Sequence, residues 1–113
     1  MDNTFFVSSD IISSANKIKE EINRSFSGEL VNDYNIQCEN HCSVHVMVFE
    51  KYYSRVSNRL TLTVILDDVS GKTRVHYTSA GGGTGVLFRF DWGAADSFAE
   101  SVRSALSDCI ISD

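Results

Sequence analysis

The feature that most constrains this chain is a change of hydrophobic period. A helical period at each end encloses a long middle stretch of period two, a pattern that a helix bundle or a parallel α/β fold does not produce. Near the start, Ile11, Ala15, Ile18, Ile22 and Phe26 recur at helical spacing on one face. Ser8, Ser9 and Asp10 supply candidate N-caps and Gly28 a stop. Near the end, Ala95, Phe98, Val102, Ala105 and Cys109 repeat the rhythm and Leu106 widens the stripe, with Gly93 as N-cap and Trp92 just outside it. Between them, Tyr34, Ile36 and Cys38 alternate with Asp33, Asn35 and Gln37. Leu60, Leu62, Val64 and Leu66 do the same, as do Val75 and Tyr77.

Register follows from where turns fit, because a slip of one residue turns every side chain to the opposite face. A loop at Ser70-Gly71 sets Leu66 against Val75, Val64 against Tyr77 and Asp67 against Arg74, matching apolar with apolar and opposite charges. A loop at Glu39-Asn40-His41 sets Cys38 against Cys42, Ile36 against Val44 and Tyr34 against Val46. With the apolar members of that pair turned inward, the next hairpin points Glu50 or Lys51 into the core, which predicts a bulge near Lys51-Tyr52-Tyr53. Val86, Phe88 and Phe90 offer a short fifth strand. The expected fold is one two-layer α+β domain over 1–113: an antiparallel meander of four or five strands, with the N- and C-terminal helices packed on one face.

Composition bounds the function classes. The 113 residues carry 10 basic and 15 acidic side chains, a net charge of −5. That balance argues against nucleic acid or an anionic membrane as partner. The start, Met1-Asp2-Asn3-Thr4, lacks the basic stretch of a signal peptide. Three cysteines do not make a disulfide framework, so a reducing cytoplasm is the expected setting.

Cys38, His41, Cys42 and His45 are residue types that suit zinc. Alternation along a strand sends Cys42 and His45 to opposite faces, so packing without a metal is the expectation, and no cofactor is implied. The tract Gly81-Gly82-Gly83-Thr84-Gly85 can present backbone N–H groups to an anion, with Arg89 and Trp92 close behind. It lacks the lysine of a P-loop and leads into a strand rather than a helix. On the face turned from the helices, the same register reading places Val31, His45, Met47, Phe49, Ile65 and His76, a mixed patch suited to self-association. No catalytic constellation is visible.

Gly81–Gly85 followed by Phe88-x-Phe90-Asp91-Trp92-Gly93 and Phe98 resembles a family of small uncharacterised bacterial proteins. That resemblance implies a bacterial cytosolic protein and no assigned activity. The functional expectation is a non-enzymatic binding or interaction module that forms a homodimer. The alternative is a small-ligand or anion-binding protein built on the loop at 81–85.

Overall fold

The computed structural model describes residues 3–26, 28–53, 58–81 and 97–111. The elements run β1 (Thr4–Val7), α1 (Ile11–Phe26), β2 (Glu29–Gln37), β3 (Ser43–Tyr53), β4 (Asn58–Asp67), β5 (Thr73–Gly81), α2 (97–105) and β6 (Ile110–Ile111). The described strands form one antiparallel sheet of order β2-β3-β4-β5-β1-β6. No described helix is long and apolar enough to cross a membrane.

α1 forms where its stripe predicts. Asp10 caps it, accepting the Ser13 backbone N–H at 2.7 Å through Oδ1 and the Ser14 N–H at 2.9 Å through its carbonyl. Ile11, Ala15, Ile18 and Ile22 are buried along one side. At the far end the Gly28 N–H reaches back to the Ile22 carbonyl, and a Cβ on Gly28 would lie 2.7 Å from Ile22 Cγ2. The close approach requires a residue without a side chain there.

The β4–β5 hairpin has the expected register, with Leu66 opposite Val75, Val64 opposite Tyr77 and Asp67 opposite Arg74. Arg74 donates to both carboxylate oxygens of Asp67 at 3.0 Å. Gly71 adopts φ +93°, the region that glycine enters without a Cβ penalty, and its N–H closes the turn on the Asp68 carbonyl. The β2–β3 hairpin also pairs as expected, Ile36 with Val44 and Tyr34 with Val46.

Its faces, however, are reversed. Met47 and Phe49 pair with Val64 and Leu62, and all four are buried. Tyr34, Ile36, Val44, Val46 and Val48 therefore lie on the outer face, while Asp33, Asn35 and Gln37 lie on the helix side. The β3–β4 pairing decides this. It runs without a break from Val44 opposite Asp67 to Tyr53 opposite Asn58, so there is no bulge at Lys51-Tyr52-Tyr53. The irregularity lies in β2, between Leu30 and Asn32. β3 carries apolar residues on both faces. The larger pair, Met47 and Phe49, goes into the core, where buried apolar area gains most.

Two strands were not expected. Phe5 and Val7 of β1 are buried, and β1 joins the free side of β5 with Phe5 opposite Val75. β6 then pairs with β1 through Ile110 and Ile111. The sheet thus has six described strands rather than four or five. The fifth strand expected at Val86–Phe90 lies outside the described residues. Phe98, Val102 and Leu106 of the C-terminal stripe are buried and share one apolar cluster with α1 and the inward residues of β1, β3, β4 and β5. The last helix stops at 105, so Cys109 sits in the turn beyond it, half-buried against that cluster rather than on a helical stripe.

A polar cleft between α1 and the edge strand

β2 is the outermost strand and is exposed along its whole length. α1 covers β3 and β4, and beyond it the helix side of the sheet changes character. Where β4 presents leucine and valine, β2 presents Asp33, Asn35 and Gln37, with Ser43 and His45 beside them on β3. Together with Asp10, Asn16, Lys19 and Asp68 they line a cleft of about 590 Å³. Ile11, Ile12 and Ala15 of α1 form its apolar wall, and Ile12 is largely exposed at the rim.

Asp33 organises one side of the cleft. His45 Nε2 donates to Asp33 Oδ1, and Lys19 Nζ donates to Oδ2 at 2.9 Å. These two bonds, Lys19 first, hold the Asp33 carboxyl below its ordinary range. With Nε2 committed to Asp33, Nδ1 is the remaining polar atom of the ring. That atom is sealed from solvent and has no hydrogen-bond partner among the described residues. An unmet buried polar atom costs about 1–3 kcal/mol. A histidine–carboxylate pair of this form has the parts of a general base, but among the described residues no nucleophilic side chain bonds Nδ1, an atom shielded from solvent.

Two further carboxylates stand at the cleft. Asp10 uses Oδ1 to cap α1, and Asp68 uses Oδ1 to accept the Ser43 backbone N–H at 2.7 Å. Counting Asp10, Asp33 and Asp68 against Lys19, the charged lining is negative overall.

The residues singled out from sequence are dispersed. His45 is buried in the cleft wall, and Met47 and Phe49 are in the core, so the outer-face patch loses these three members. Val31 is exposed on β2 at the irregularity, and Ile65 is half-buried on the outer face between Val46 and His76. His76 is exposed on that face, its Nδ1 within 2.8 Å of Thr4 Oγ1. Gly81 ends β5 opposite Leu60. Gly82, Gly83, Thr84, Gly85, Arg89 and Trp92 lie outside the described residues.

Cys38 and Cys42 are free, and the Cys38 thiol beside it pushes the Cys42 thiol up. Among the described residues no three histidine, cysteine or acidic side chains converge as metal ligands. Asp33, Asn35 and Gln37 were legible as an alternating polar row but read as the solvent side. The signal that places them is the size of Met47 and Phe49 on the strand next door.

The described residues therefore make a mixed α/β protein, an open antiparallel sheet with two helices and a polar cleft along one edge. The chain belongs to DUF6054, a family of unknown function whose model matches residues 3–110. This agrees with the resemblance to a small uncharacterised family. No curated protein and no solved structure matches the chain.

Proposed function

We propose that the protein is a non-enzymatic binding module whose site is the cleft between α1 and β2, and that its ligand is a small amine carrying an apolar group. The observation that carries this reading is the row Asp33, Asn35 and Gln37 on the helix side of the sheet. These side chains are exposed along β2 and stand open to a ligand rather than packed under α1, and the buried, unmet Nδ1 of His45 adds a cost in the cleft wall. The carboxylates of Asp10, Asp33 and Asp68 favour a cation, and the net charge of −5 steers one toward the protein. Ile11, Ile12 and Ala15 receive the apolar part. A phosphate entering this cleft would meet the same carboxylates as like charge; the anion-binding alternative rests instead on the loop at 81–85, most of which lies outside the described residues. A cytoplasmic setting suits Cys38 and Cys42 as free thiols.

Thermal unfolding with phenethylamine, isoamylamine or inorganic phosphate tests the proposal. A ligand held at tenfold its Kd adds about 1.4 kcal/mol of stability, or several degrees in Tm for a domain of this size. At least one amine is expected to raise Tm saturably, and phosphate to leave it unchanged. Asp10→Ser, which keeps a capping oxygen and removes the charge, is expected to weaken the amine response. Stabilisation by phosphate alone, or by none of the three, would contradict the proposal.

A further inference from the structure

We infer that β2 is an interaction edge for a second copy of this chain, pairing antiparallel with its equivalent about a two-fold axis through Asn35. Three observations support it.

The first is that β2 ends the sheet, and no described segment pairs with its outer side. Native sheets guard such an edge with lysine, proline or a bulge. β2 has its irregularity near Val31, but the stretch from Asn32 to Gln37 carries no lysine, arginine or proline, and its one charge, Asp33, is already bonded to Lys19 and His45. Its exposed apolar side chains include Leu30, Val31, Tyr34 at 58% and Ile36 at 42%.

The second is which backbone groups face outward. The Cys38 N–H donates to the Cys42 carbonyl at 2.8 Å. Bonded pairs alternate along an antiparallel ladder, so Ile36 and Tyr34 turn their backbone groups to β3. Asp33, Asn35 and Gln37 turn theirs to the open edge.

The third is charge. Among two-fold registers that keep each face aligned, centring on Asp33 opposes two carboxylates, and centring on Ile36 brings Asp33 against Glu39 of the second copy. A Tyr34 centre leaves Ile36 against Asn32. The Asn35 centre sets Asn35 against itself, Asp33 against Gln37 and, on the outer face, Tyr34 against Ile36. No like charges meet, apolar meets apolar, and the outward groups of all three residues find partners, about six hydrogen bonds in all. The two clefts then lie side by side across the axis.

The register is tested by cross-linking in a Cys38→Ser, Cys42→Ser, Cys109→Ser background. Bonded antiparallel partners have Cα atoms about 5.5 Å apart, inside the roughly 4.4–6.8 Å that a disulfide spans. Asn35→Cys is expected to cross-link under mild oxidation at least tenfold faster than Tyr34→Cys, which does not oppose itself. Light scattering on the unaltered protein at about 100 μM, above typical weak-dimer affinities, is expected to give the mass of two chains. Asn35→Pro removes an outward N–H without touching the β3 ladder, and Ile36→Lys adds an edge charge. Each is expected to give a monomer with unchanged far-UV circular dichroism, and if one fails to fold the other decides. A monomer mass for the unaltered protein overturns the inference, as does a dimer that survives the edge variant or equal cross-linking of the two cysteine variants.

Discussion

Asp33 is where stability and the cleft meet. Its carboxylate accepts from both Lys19 and His45 on a side chain about a third exposed, so its contribution is partly screened by water. The folded-state pKa lies below the ordinary value of 3.8. The stabilisation is therefore complete above the unfolded carboxyl range and is lost as pH falls through the lower folded value. Asp33→Asn is expected to lower the urea midpoint at pH 7, with the gap from the unaltered protein closing from about pH 4 downward. Urea unfolding curves of both proteins across that range check it. A gap that stays constant to pH 2 would show that the charge of Asp33 is not what stabilises the fold.

At the scale of elements, β3 shows what a single sequence can and cannot specify. Its pairing with β2 was legible because the turn at Glu39-Asn40-His41 fixes which residues oppose. His41 takes φ +65° there, which a turn residue tolerates. Its facing was not legible, because Val44, Val46 and Val48 compete with Met47 and Phe49 for the core at the same period. Only the link between β3 and β4 breaks the tie. The β4–β5 hairpin had no such ambiguity: Leu60, Leu62, Val64 and Leu66 leave one apolar face, and Gly71 marks the turn. The assignment predicts opposite outcomes for two neighbours in the sheet. Phe49→Ala should cost about 3–5 kcal/mol as a buried aromatic is lost, a large share of a typical total of about 5–15 kcal/mol, and Phe49→Asp should prevent folding. Ile36→Asp, on the outer face, should fold with a change within about 1 kcal/mol when both proteins are compared as monomers at low concentration. Denaturant midpoints decide the matter, and a well-folded Phe49→Asp protein would place that side chain outside the core.

For the molecule as a whole, the chain ends explain why the sheet was underestimated. Thr4–Val7 is too short to show a period, and Ile110–Ile111 shorter still, yet each finds a partner once β5 offers its free side. Adding strands at that side shields β5 and leaves β2 as the long open edge, which α1 reaches through Lys19 on Asp33 without covering it. The cleft is thus a consequence of topology, and Asp33, Asn35 and Gln37 are the residues the chain places in it. Backbone amide spectra recorded while phenethylamine is titrated into the 15N-labelled protein test this most directly. The largest saturable shifts are predicted at Asn16, Asn35, Gln37, Ser43 and His45. Shifts centred instead on Gly81–Gly85 and Arg89, with the cleft unmoved, would contradict it.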